Sequence, residues 1–382
     1  MKIIILGCGY HGRGIAYDIA SASDVSEVLV VDRNASLAQL VAKKANISWN
    51  QLDIRDGAAL KALLQGTDLV FNAIGPYHRY ALDVIDAAID SGVNYADMND
   101  DHEAAEELFL NPNWDERAKK AGVAVLTGLG MAPGLSGILA RLGFEQFDSA
   151  EIISIKFVWN YSIKYPAAIQ HFLRINNGRA PQYIGGNYTK PGFFAEREIV
   201  RFLDPVGTRP VYYTGIIDPI TIPISLSGVK ETTAKGAFLQ PEANALLECM
   251  VKWGMTSYDP VQGTGTNAME FLMAYLVSPQ GQPYFHINPL NLPMAVRVEV
   301  AGLKKGQKKK ITYEAHDYTR RGSTSTSAIA ALMLARGNLS FAGVRAPESC
   351  IDPVSFLRTL VSQGNVKIFE WWESDEPKPL SF

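Results

Sequence analysis

The 382-residue chain holds only three cysteines, Cys8, Cys249 and Cys350, and none of them stands in Cys-x-x-Cys spacing. That excludes a disulfide framework and a structural zinc site. Its six histidines show no ligand spacing, so metal chemistry has no support. No apolar run approaches the ~20 residues a spanning helix needs, which argues against a membrane partner. The start lacks the basic residues, apolar stretch and small-residue cleavage site of a secretory signal, so the cytoplasm is expected. Positive charge is not in surplus either: the formal net charge is -3, and the one basic run, 304–310, reads as a hairpin tip. Nucleic acid is therefore not an expected partner. What remains is a chain with 47% hydrophobic and 20% charged residues, ordinary soluble usage, and too long for one core.

What the chain does have begins at once, in "MKIIILGCGYHGRG". Lys2 to Leu6 are β-branched and aliphatic, as suits a strand buried on both faces, and "GRGIAYDIASA" carries apolar positions at helical spacing. In a strand, glycine turn and helix of this kind, Gly7 permits the sharp turn and Gly9 admits a pyrophosphate to the backbone. Gly12 then lets the helix pack close. Tyr10 and His11 open the helix whose N–H groups would face the phosphates. Cys8, between the glycines, reads as a small tolerated residue. The next strand, "EVLVVD", ends in Asp32, twenty positions after Gly12, where a carboxylate meets the adenosine ribose hydroxyls. Asp32 would repel a 2′-phosphate, so NAD is favoured, while Arg33 keeps NADP possible.

Strands and helices go on alternating through "ISWNQLDI", a helix from Asp56, "DLVFNAIG", a helix from Tyr80, "VNYADM", a broken helix from His102 and "VAVLTGLG". Six strand candidates with intervening helices predict an α/β fold, a Rossmann-type doubly wound parallel sheet. Ligands of such sheets lie beyond the carboxyl ends of the strands, which selects Asp53 and Ile54, then Asn72, Ala73, Ile74 and Gly75. Tyr95 to Met98 and the stretch from Gly128 through Met131 and Pro133 to Gly134 complete the set. Asp56 suits the cap of the third helix better than Asp53 does.

Past Leu129 the period changes. "AEIISIKFVW" and residues 294–318 alternate in period two, the latter as a hairpin through Gly302 to Gly306, so the middle reads as an inserted α+β domain. A helix over 323–337, capped by Ser or Thr and ended by Gly337, and another after Asp352 and Pro353 close the chain before a loose charged tail.

In this order, "GCGYHGRG", "VVDR", "NAIGPYHRY", "VNYADMND", "GLGMAPGLSG" and "GVRAPES" resemble the saccharopine dehydrogenase-like family. The resemblance covers the first ~145 residues well and the last ~60 by motif order. It implies a Rossmann domain from both chain ends, residues 1–130 plus 323–370, with 131–322 inserted for substrate binding and homodimerisation and 371–382 as the tail. It also implies nicotinamide-dependent chemistry at a carbon–nitrogen bond of an amino acid. One departure is Ala132 before Pro133-Gly134, where saccharopine reductases carry an aspartate; with the shorter middle domain it points to the lysine-dehydrogenase-like branch or another substrate.

Hydride transfer is the cofactor's work, and the protein must handle protons. Asp97, at the end of the fifth strand, is the first candidate for attracting an ammonium and taking its proton, against a plainer reading as a helix cap. His102, one turn on, would relay a proton or simply be solvated. Tyr77 and His78 follow Gly75-Pro76, Tyr77 to pack on nicotinamide or substrate and His78 as a further base. A substrate carboxylate calls for a bidentate arginine, and the middle domain offers Arg174, Arg179, Arg197 and Arg201 without ranking them; Arg174 stands for the group. Aromatic residues there, such as Trp159 and Tyr161, read as core or interface. Three functions compete: an NAD(P)-dependent oxidoreductase of amino acids or opine-like amines, the reverse reductive condensation with an aldehyde or keto acid, and a dinucleotide-binding regulator without turnover.

Overall fold

A computed structural model describes residues 1–160, 175, 181–192, 195–281 and 290–382. Seven parallel strands form the first sheet, in the order β15-β6-β5-β4-β1-β2-β3: Gly343–Arg345, Ala124–Leu126, Asn94–Asp97, Leu69–Asn72, Lys2–Leu6, Glu27–Asp32 and Ser48–Gln51. Chain direction across the sheet reverses between β1 and β4, where a crevice opens at the carboxyl ends. Ile3, Ile4, Ile5 and Leu6 are fully buried on the two faces of β1, each contributing roughly 1.5–3 kcal/mol by leaving water. Helices Tyr10–Ala20 (α1) and Tyr77–Ser91 are among those covering the sheet. Asp56 caps the helix Gly57–Leu64 by accepting from the Ala59 amide at 3.0 Å, and Asp352 does the same for Pro353–Ser362 through Ser355.

The second sheet is mixed and, among the described residues, has ten strands. Its centre is Ser149–Trp159 (β7), flanked by Glu231–Phe238 in parallel and by the antiparallel hairpin Met294–Lys304 (β13) and Gln307–Asp317 (β14). Helix Leu135–Phe144 lies on one face, so close that a Cβ on Gly143 would stand 2.6 Å from Val300 Cγ2. Residues on both sheets belong to one continuous apolar cluster, from Ile3 to Val300.

The helix Gly322–Ala335 packs against α1, and Arg321 pairs with Asp18. With β15 in the first sheet, the return of the chain to the nucleotide side is visible in the backbone. Three details differ from the sequence reading. Strand Val366–Trp372 (β16) pairs with β14 in the second sheet instead of joining the Rossmann side, because Val366 and Ile368 find their apolar cover there. The tail is not loose throughout: Lys378–Pro379 pairs with β16. No Ser or Thr side chain caps the helix Gly322–Ala335; Asp317 accepts from the Gly322 amide at 2.8 Å, and Ser323 to Ser327 are buried. Among the described residues no helix is long and apolar enough to cross a membrane.

Candidate active site

At the sheet's crevice the glycine turn has the spacing that a dinucleotide needs. Gly7 sits at φ +95°, and a Cβ there would meet the Ala73 carbonyl at 2.9 Å. Gly12 is tighter still, since a Cβ would stand 1.9 Å from the Gly7 carbonyl oxygen. Gly9 is different: nothing lies within 4 Å of its would-be Cβ, so that side of the turn is open for a phosphate. Tyr10 and His11 pack edge to face at the helix start, with Arg13 over the Tyr10 ring. Asp32 closes the turn from β2. Its carboxylate accepts from the Cys8 amide and from the Asn34 amide, each at 2.8 Å. Burial first, and the charge of Asp32 second, push the Cys8 thiol up to about 12, so it stays a neutral, buried small residue.

A cavity of about 900 Å³ runs from this turn to the second sheet. On the nucleotide side it is walled by Gly7, Gly9, Tyr10, His11, Asp32 and Arg33. Asp53, Ile54, Ala73, Ile74 and Gly75 continue the wall beyond strands three and four, followed by Tyr77, Met131 and Pro133. Asp53 lies in the loop after Ser48–Gln51 and is gripped by Arg55, whose guanidinium holds its carboxyl down at about 2. The far wall comes from the second sheet, with Phe157, Trp159, Phe238 and Met294.

Other expected residues stand back from the cavity. Gly12 serves the turn beneath it, and Gly134, at φ +109°, folds the loop after β6: a Cβ would lie 2.3 Å from the Gly130 nitrogen. Asn72 is fully buried; its side chain accepts from the Ile74 amide and donates to the Tyr95 hydroxyl. Asp97 is the chief correction. It is fully buried and off the cavity wall, and its carboxylate accepts from the Tyr95 hydroxyl, Thr127 Oγ1 and the amides of Asn99 and Gly128 at 2.7–3.0 Å. Burial pushes its carboxyl up, with the four donors pulling against that. Neither cap nor cavity base, it ties the ends of β5 and β6 together.

His102 is likewise buried, with its ring nitrogens 3.7 and 3.8 Å from Glu103 and Glu106, beyond hydrogen-bond reach. Arg174, Arg179 and Tyr161 lie outside the described residues, and Arg197 and Arg201 are exposed away from the cavity. Tyr77 does face the cavity. Its hydroxyl donates to the Asn72 carbonyl at 3.3 Å, and burial raises its pKa well above that of an ordinary phenol, so it works only as a neutral group.

Besides Asp32 and Asp53, two further acids line the cavity that sequence reasoning missed, Asp100 and Asp101. Asp101 opens the helix His102–Leu110 but makes no side-chain cap; its Oδ2 instead accepts from the His78 amide at 2.9 Å and lies 3.0 Å from His78 Nδ1. His78 thus stands directly behind Asp101. The available signal was two consecutive aspartates after a strand end, with the histidine in the first turn of the helix Tyr77–Ser91 as partner. Arg55 and Arg320 were also overlooked on the walls.

Residues 3–127 match the saccharopine dehydrogenase NADP binding domain, in agreement with the motifs of the glycine turn and β2. The chain is 24% identical to a carboxyaminopropylagmatine dehydrogenase of Synechocystis over 95% of its own length and 96% of that protein. It is 31% identical over 91 residues to a probable mitochondrial saccharopine dehydrogenase-like oxidoreductase of Arabidopsis thaliana, 24% of this chain and 19% of the relative. Among solved structures, the apo saccharopine dehydrogenase (L-Glu forming) of Saccharomyces cerevisiae superposes with a TM-score of 0.72 at 14% identity, over 98% of this chain and all of that one. That likeness shows the fold. The resemblance to saccharopine dehydrogenases read from the sequence is borne out over residues 3–127.

Proposed function

We propose that the chain is an NAD(P)-dependent oxidoreductase acting on a carbon–nitrogen bond of an amino acid or opine-like amine, a reading supported by its likeness to the Synechocystis carboxyaminopropylagmatine dehydrogenase. The observation that carries this is the single cavity joining a dinucleotide turn to an acid-lined pocket under a second sheet. The open flank of Gly9 and the position of Asp32 fit a nicotinamide dinucleotide, which supplies the hydride chemistry when bound. Asp32 favours NAD, with NADP possible through Arg33.

Asp100 and Asp101 attract an ammonium electrostatically, and the Asp101 carboxylate takes the amine proton, held in place by the amide and ring of His78. Tyr77, Phe157 and Trp159 shut water from the reacting face. The same groups run in reverse when an amine condenses with a carbonyl partner and the imine is reduced. A cytoplasmic homodimer is part of this proposal; exposed Trp253 and Phe271 on the second domain are the first surfaces to substitute in a sedimentation experiment.

The test is a panel of amino acids and polyamine-like amines assayed for NAD(P) reduction, and in reverse with aldehydes or keto acids. Asp101→Asn is expected to lower kcat ~10²–10⁴-fold with cofactor affinity nearly unchanged. Tight cofactor binding with no turnover across both panels would instead favour a regulator without turnover.

A further inference from the structure

We infer that Asn99 is a positioning residue of the candidate active site: its side-chain carbonyl holds the main chain at Asp101, and so keeps the Asp101 carboxylate against His78 on the cavity wall. The hook is a matter of geometry; that Asp101 is the proton acceptor it serves rests on the oxidoreductase reading.

The chain leaves the fifth strand as a ladder of side-chain oxygens, each holding the amide two residues on. Asp97 Oδ1 accepts from the Asn99 amide at 3.0 Å, and Asn99 Oδ1 accepts from the Asp101 amide at 3.0 Å. Asp97, Asn99 and Asp101 are all buried, while Met98 and Asp100 between them line the cavity together with Asp101. At the foot of the ladder Asp97 is fixed by Thr127 and the Gly128 amide. At its top Asp101 Oδ2 accepts from the His78 amide at 2.9 Å and lies 3.0 Å from the ring Nδ1. Asn99 is the rung that joins the two.

Two observations single it out. Asp101 stands just before the helix His102–Leu110 with an extended backbone, φ −79° and ψ 115°, yet makes no side-chain cap. An aspartate in that place ordinarily turns onto the free amides of the first helical turn. Sent to His78 instead, it needs its own backbone held from behind, and the Asn99 carbonyl does that. The second observation is the Asn99 Nδ2 group, which is buried and has no hydrogen-bond partner among the described residues. Buried amides are normally satisfied, and an orphaned donor is costly. Packing alone has no use for that donor; the acceptor on the same amide offsets it by fixing Asp101. Displacing a reacting group by about 1 Å costs on the order of 10²-fold in rate, so a hook two residues from the proton acceptor governs turnover without touching the ligand.

The test compares Asn99→Ala, which removes the acceptor, with Asn99→Ser, whose hydroxyl can accept from the amide two residues on. NMR of protein carrying isotope-labelled histidine reads the His78 ring nitrogens without turnover; His78→Gln identifies the signal and Asp101→Asn marks the unpaired ring. Asn99→Ala is expected to move the His78 signal most of the way to its position in Asp101→Asn. It should also lower kcat about ten- to a hundred-fold, with KM for the amine and the NADH dissociation constant within about twofold, and Asn99→Ser should restore the signal and most of kcat. A His78 signal that stays at the wild-type position in Asn99→Ala overturns the proposal, as does a loss of kcat that Asn99→Ser does not recover. If Asn99→Ala fails to fold, Asn99→Cys takes its place, since a thiol has nearly the shape of the serine hydroxyl but is a weak acceptor. Equal His78 signals in Asn99→Cys and Asn99→Ser then overturn the proposal. Absence of turnover with every amine leaves the NMR result to decide on Asn99 and bears on the oxidoreductase reading alone.

Discussion

The Tyr95 hydroxyl donates to Asp97 Oδ2 at 2.7 Å, two residues apart on one strand, and Asn72 donates to the same hydroxyl from the strand beside it. Thr127 and the Gly128 amide reach the other oxygen, so three strand ends are knotted through one carboxylate. Asp97→Asn replaces one accepting oxygen by a donor facing a donor. It is expected to destabilise the protein by ~1–3 kcal/mol, measured by urea denaturation. A variant of unchanged stability that has lost turnover would return Asp97 to the chemistry.

Gly9 and Gly12 look equivalent in the motif but should fail differently. Gly9→Ala meets no protein atom within 4 Å, so it should fold with a normal melting temperature and bind NADH at least tenfold more weakly, by NADH fluorescence. Gly12→Ala drives a methyl into the Gly7 carbonyl and should lower the melting temperature itself. Unimpaired NADH binding by Gly9→Ala contradicts the phosphate placement.

Cofactor choice turns on Asp32. The wild-type chain should bind NAD at least tenfold more tightly than NADP by calorimetry, because a 2′-phosphate would meet a carboxylate already fixed by the Cys8 and Asn34 amides. Equal or tighter NADP binding transfers control to Arg33 and Arg55 on the same wall, and Arg33→Ala should then abolish the preference.

Away from the cavity, Asp218 is buried beside Glu348 and accepts from Ser136 Oγ at 2.6 Å. Burial, with Glu348 adding to it, pushes the Asp218 carboxyl up to about 7. An acid with a raised folded-state pKa stabilises fully below its unfolded value near 4, and that contribution is lost as pH rises through about 7. Wild-type stability should therefore fall between pH 5 and pH 8 by an amount on the order of a few kcal/mol that Asp218→Asn largely removes. Parallel denaturation profiles for the two proteins would refute the assignment.

By itself the sequence determined the nucleotide half. Local periodicity and glycines at fixed offsets specify a strand, turn and helix through near-neighbour sterics, so Gly7, Gly12 and Asp32 were legible as residues. The alternating period of 294–317 likewise announced a hairpin. Tertiary structure alone decided which strand-end acid faces the cavity. Asp97 and Asp101 lie four residues apart with the same chemistry, and only the donors arriving from Thr127 and Gly128 consume the first, while His78 steadies the second. Arg320 was invisible for a related reason: its place depends on the fold of the hairpin against a helix some 300 residues from the glycine turn, and nothing in its immediate neighbours reports that distance. The strand 366–372 went to the second sheet because apolar cover there, rather than chain proximity to β15, sets where an edge strand pairs.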